Sequence, residues 1–69
     1  MELILNTYGT SLLKDNDTFL VVNNEGKQRI HPRNIKTIII AKGAQITSDA
    51  ALLAIENEVE VLFVDKTGK

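Results

Sequence analysis

Any chemistry in this chain has to be built around one histidine. His31 is the sole imidazole and there is no cysteine. A Cys–His nucleophile pair is therefore impossible, and a three-histidine metal site is excluded within one chain. The serines are Ser11 and Ser48. Neither lies in the sharp turn that exposes a nucleophilic hydroxyl, and Ser48 suits a helix cap better. Paired carboxylates run acid–base chemistry when one has a raised pKa. Asp15 and Asp17 fall in a polar turn with nothing to desolvate them. Glu58 and Glu60 flank the start of an apolar strand and read as solvent-facing alternation. Gly26-Lys27 and Gly68-Lys69 lack the leading glycine and the following hydroxyl of a phosphate-cradling loop. These residues give no catalytic position, no metal ligand set and no cofactor site in this chain.

Binding is a different matter. Formal net charge is −1, which makes no strongly basic field, but the average hides an asymmetry. From Gly26 to Ser48 there is no Asp or Glu, while Lys27, Arg29, Arg33, Lys36 and Lys42 all lie within. One reading is ordinary solvated strand faces. The other is a local patch facing nucleic acid or an acidic partner. Tyr8, beside Gly9, marks a corner where its ring either stacks on a base or packs structurally at a rim with its hydroxyl hydrogen-bonded. Tyr8, Lys27, Arg29 and Arg33 are thus the candidate DNA contacts.

The elements that must position these residues are mostly strands. Alternation marks Glu2 to Thr7 as a first strand, and Ser11 to Lys14 as a second after the Tyr8-Gly9 bend. Asp15-Asn16-Asp17 is a turn whose side chains bond their own backbone. Thr18 to Asn23 follows, and Asn24-Glu25-Gly26 reverses the chain into Lys27 to His31. There Lys27, Arg29 and His31 share a face. Pro32 ends that strand. The next, Ile35 to Ala41, is apolar on both faces at Ile38-Ile39-Ile40 and is expected in the interior. One helix is expected, capped by Thr47 or Ser48, with Asp49 in its first turn and Ala50 to Ile55 as its body. Leu52, Ile55 and Val59 offer a packing stripe. The last strand, Glu60 to Asp65, contains Val61-Leu62-Phe63-Val64 and predicts burial on both faces, with Phe19 and Phe63 in the core.

The pattern predicts a mainly β domain with one short helix (α+β), a small β-sandwich or β-roll. The chain has 69 residues, one domain's worth, and so short a chain buries only roughly 60% of its unfolded surface. With no disulfide or structural metal, it needs a tight core, an oligomer or a neighbouring domain. The apolar runs are too short to span a bilayer. The start lacks the basic, apolar pattern of a signal peptide, and the absence of cysteine fits the cytoplasm. Asp65-Lys66-Thr67-Gly68-Lys69 matches Asn23-Asn24-Glu25-Gly26-Lys27 in offering turn residues, a glycine and a lysine after a Val-containing strand. The first leads into a returning strand, so the second is expected to do so in a longer protein.

The order of elements resembles the N-terminal β domain of the CRISPR-associated integrase, the endonuclease of spacer acquisition. The resemblance covers essentially the whole chain. It runs from the Tyr-Gly bend through the strand pair, the Pro-marked loop and the isoleucine strand. Gly43, the Ile46-Thr47-Ser48 helix start and the Val-Leu-Phe-Val-Asp strand complete it. The similarity lies in pattern and spacing. It implies a cytoplasmic homodimer with this β domain over residues 1–69 as dimerisation scaffold and a helical catalytic domain behind. That second domain would hold Mg²⁺ or Mn²⁺ through a Glu–His–Asp set, none of it assignable here. DNA and the small second adaptation protein of the CRISPR integration complex are the implied partners, with Tyr8 as a base-stacking contact. The residues leave open a free-standing β module that binds a protein through an edge strand, and a small autonomous nucleic-acid binder.

Overall fold

The computed structural model describes residues 1–65. Its elements run β1 Glu2–Leu5, β2 Ser11–Asp15, β3 Thr18–Asn23, β4 Gly26–Ile30, β5 Thr37–Ala41, β6 Gln45–Ile46, α1 Ser48–Glu56 and β7 Glu60–Val64, with a 3₁₀ turn at Pro32–Asn34 before β5. The strands form two sheets, β1-β5-β7 and β4-β3-β2-β6. This is the mainly β, one-helix domain that the sequence pattern predicts.

Local chemistry makes the two hairpins. At the β2–β3 turn Asn16 takes φ 56, a region that Asn tolerates better than most residues. Thr18 Oγ1 donates to the Asp15 carbonyl at 2.8 Å. At the β3–β4 turn the Glu25 N–H donates to Asn23 Oδ1 at 2.8 Å, and Gly26 supplies φ 139. The antiparallel register sets Leu12 opposite Val21 and Phe19 opposite Ile30. All four are buried.

The second sheet is parallel throughout. Leu5, Ile40 and Phe63 form one lateral row, and Ile4, Ile39 and Leu62 form another on the opposite face. Ile38 and Ile40 are 0% and 2% exposed, which confirms β5 as an interior strand. Residues from both sheets and the helix join one apolar cluster: Leu5, Leu12, Phe19, Val21, Ile30, Ile38, Ile40, Leu53 and Val59 among them.

The helix begins where its cap chemistry dictates. Thr47 is the cap, its Oγ1 accepting from the Ala50 N–H at 3.1 Å. The packing stripe is Ala50, Leu53 and Ala54. Leu52 and Ile55, expected there, are 55% and 69% exposed. Small alanines bring the helix axis close to the strands it packs on, and that turns Leu52 and Ile55 outward. At the other end Glu58 takes φ 58. The Val59 N–H donates to Ala54 O at 2.8 Å and the Glu58 N–H to Ile55 O at 3.1 Å. This paired closure usually employs glycine at the left-handed position. Glu58 therefore ends the helix, a role that simple strand alternation did not suggest.

The last strand also differs from expectation. Leu62 and Phe63 are 42% and 71% exposed, so Phe63 is not a core residue. The reason is position: among the described residues β7 pairs with β5 alone and lies at the sheet edge. The turn sequence from Lys66 to Lys69 lies outside the described residues. Among the described residues, no helix is long and apolar enough to cross a membrane.

Candidate nucleic-acid interface

Tyr8 and Gly9 form the corner between β1 and β2. The corner is tied down by backbone: the Gly9 N–H donates to Gly43 O at 3.0 Å, and the Gln45 N–H donates to Thr10 O at 3.0 Å. Gly43 takes φ +93, and a Cβ added there would lie 2.7 Å from the Tyr8 ring. The ring thus rests flush on a glycine while the side chain is 71% exposed. One face of the Tyr8 ring packs on Gly43 and the rest of the residue faces solvent.

Beside the ring lies a shallow cleft of about 160 Å³, lined by Thr7, Tyr8, Asn23, Asn24 and Glu25. A second, more open cleft of about 200 Å³ is lined by Val21, Asn23, Glu25, Gly26, Lys27 and Gln28. Asn23 and Glu25 line both. The β3–β4 turn therefore stands between Tyr8 and Lys27 and brings a tyrosine, two asparagines, a glutamate and a lysine to one end of the four-stranded sheet. Asparagines can donate to and accept from base edges, and an aromatic ring can stack on them. Glu25 opposes close approach of a phosphate on that side.

The other two candidates are held differently. Arg29 is exposed on β4, but its guanidinium pairs with the Asp15 carboxylate across β3. That contact offsets one of the five positive charges of the acid-free segment. Arg33 sits in the 3₁₀ turn, where its backbone N–H and Nε donate to His31 Nδ1 at 3.2 Å and 3.3 Å. His31 is thereby a turn cap and a positioner of Arg33. Among the described residues, no three His, Asp or Glu side chains come together as a metal site.

The structure therefore brings Tyr8 and Lys27 to the β3–β4 turn, keeps Arg29 two residues along β4 from Lys27 and paired with Asp15, and sets Arg33 in the 3₁₀ turn. Sequence reasoning missed Asn23, Asn24 and Glu25 as neighbours of Tyr8, because that adjacency needs the β1–β2 corner docked on the hairpin. It also missed Asp15 as the partner of Arg29, a contact between residues 14 apart in the chain.

The chain matches the family model for CRISPR associated protein Cas1 over residues 3–69. It is 34% identical over 71 residues to CRISPR-associated endonuclease Cas1 1 of Archaeoglobus fulgidus, covering 100% of this chain and 20% of that protein. A CAS1 protein from Thermotoga maritima shares the fold at a TM-score of 0.75 and 14% identity, over 91% of this chain and 20% of that one. The protein of the TtCas1-DNA complex superposes at a TM-score of 0.73 and 19% identity, over 84% of this chain and 22% of that one. The chain spans about a fifth of the length of the curated relatives that it matches. With the family model matched from residue 3 onward and the fold shared with solved members, this chain belongs to the CRISPR associated protein Cas1 family.

Proposed function

We propose that this chain is the N-terminal, DNA-adjacent and dimerising domain of a metal-dependent CRISPR endonuclease and integrase that inserts new spacers. The observation that carries the reading is a match along the whole chain to a fifth of a named endonuclease. A domain of that kind contributes shape and contacts, while Mg²⁺ or Mn²⁺ and its ligands belong to a helical domain further along the polypeptide. Residues 1–69 perform no chemical step here. Tyr8 presents a ring at a corner, Lys27 and Arg33 supply charge for DNA phosphates, and Arg29 keeps the hairpin in register with Asp15. In this reading the complete protein is a cytoplasmic homodimer that works with a small second adaptation protein.

The test is DNA affinity of the complete gene product, measured by fluorescence anisotropy across salt concentrations. Duplex DNA with single-stranded ends is the probe. Replacing Lys27 and Arg33 by alanine should weaken binding and lower the salt slope by about one for each phosphate no longer neutralised. Tyr8→Leu, which keeps an apolar side chain on Gly43, should weaken binding without changing the salt slope. Unchanged affinity in both variants rejects the DNA-adjacent role.

A second reading, a free-standing module that binds a protein strand, draws on the outer side of β4, which among the described residues pairs only with β3. Sedimentation separates the two: a symmetric homodimer favours the first and a stable monomer the second.

A further inference from the structure

The cleft beside Tyr8 has a polar lining with a definite sense. The Glu25 N–H donates to Asn23 Oδ1 at 2.8 Å, closing an Asx turn over residues 23–25. That bond settles which end of the amide is used where. Oδ1 is held by the turn, so Asn23 offers a ligand its Nδ2 group, and an amide nitrogen only donates. Asn23 is half-buried at the end of β3, whereas Asn24 and Glu25 are exposed at the tip of the turn. The Glu25 carboxylate only accepts, and its two oxygens can take a pair of parallel N–H bonds.

The third component is the ring. Gly43 backs one face of Tyr8, and a Cβ there would displace the ring. The depth of the ring in its corner is therefore set by the absence of a side chain at Gly43. With 71% of the residue exposed, the ring keeps surface for stacking. The cleft between ring and turn holds about 160 Å³. Pockets for drug-sized ligands begin at about 300 Å³, so this one suits a single flat ring system. The adjoining cleft shares Asn23 and Glu25 and adds Lys27, a cation for a phosphate next to that ring.

A stacking surface, a donor amide and a two-oxygen carboxylate discriminate among bases. The pairing edge of thymine has one N–H between two carbonyls and gives a carboxylate a single bond. Cytosine and adenine each place a ring acceptor beside the amino group, and that acceptor repels the second carboxylate oxygen. Guanine alone sets two N–H groups, at N1 and N2, side by side, with O6 next to them for an amide donor. Unpaired bases are read in this manner, on their pairing edges and over aromatic rings. We propose that the cleft between Tyr8 and the β3–β4 turn is a guanine-selective site for single-stranded DNA. Glu25 accepts from N1–H and N2–H, Asn23 Nδ2 donates to O6, and Lys27 meets an adjacent phosphate. The inference rests on the proposed reading of this domain as DNA-adjacent and adds base selectivity to it.

Fluorescence anisotropy of the complete gene product tests it. The probes are duplexes whose single-stranded ends are thymine alone, or thymine alternating with guanine, adenine or cytosine. The guanine probe should bind at least about fivefold tighter than the other three, the low end for a bidentate base contact. Base contacts specify while phosphate contacts position, so this ratio should persist as salt weakens all four complexes. Glu25→Gln replaces one acceptor by a donor, and Asn23→Asp keeps the turn acceptor but removes the Nδ2 donors. Each should bring the four affinities within about twofold of one another, as loss of a bidentate contact requires. Equal affinities in the unaltered protein, or a preference for another base, overturn the guanine site and leave the DNA-adjacent reading intact. A guanine preference that survives both substitutions also overturns it, because the base is then recognised elsewhere in the polypeptide. Binding to none of the probes overturns both.

Discussion

Tyr8 packs on Gly43 from one side and meets solvent elsewhere, and substitution separates the two. Gly43→Ala introduces a side chain at φ +93 against a ring 2.7 Å from the new atom. Strained backbone of this kind costs about 1–3 kcal/mol, and ring displacement adds to it. Urea denaturation should show Gly43→Ala destabilised by about 2–3 kcal/mol. In a Tyr8→Ala background the same substitution should cost about 1 kcal/mol less, because only the backbone term remains. Equal costs in the two backgrounds would mean that the ring does not rest on Gly43. Tyr8, Lys27, Arg29 and Arg33 are all at the surface, but their neighbours were hidden. Asp15 reaches Arg29 only through the β2–β3–β4 register, and a one-residue slip would turn Arg29 to the other face.

Among the elements, hairpins were the most legible. The bounds of β3, Thr18–Asn23, follow from turn residues on either side, and turn chemistry is local. β6 was not legible, because two residues are too few to show a period. The parallel order β1-β5-β7 depends on contacts across the chain that no local pattern encodes. The helix shows how an ambiguous pattern resolves. Leu52, Leu53 and Ile55 are all apolar, so the stripe admits more than one choice, and alanines at 50 and 54 decide it by letting the sheets approach. Leu53→Ala should therefore cost about 2–4 kcal/mol, while Leu52→Ala should stay within about 0.5 kcal/mol. Thermal or urea unfolding compares the pair, and a larger loss at Leu52 would contradict the packing described. Glu58 gives an independent check. A non-glycine at φ 58 carries a penalty that glycine lacks, so Glu58→Gly should stabilise the domain by about 0.5–1 kcal/mol.

The molecule as a whole combines a small, well-formed core with an incompletely covered β7 edge. Its size limits what the core can contribute, and Leu62 and Phe63 stand outside that core. The fold class was legible in full, since strand-length runs, turn clusters and one capped helix leave few architectures open. The role of the domain was not legible from its side chains, because scaffolds lack the clustered acids, imidazoles and thiols by which catalytic sites are recognised. What the order of elements and the family match brought into view is the family. The role proposed for this domain, to border DNA for chemistry performed elsewhere in a longer polypeptide, has a direct test. The most direct measurement compares Mn²⁺-dependent cleavage of branched DNA by residues 1–69 and by the complete gene product. Cleavage by the complete product and none by residues 1–69 is the predicted result. Robust cleavage by residues 1–69, abolished by replacing one of their own carboxylates, would contradict the account.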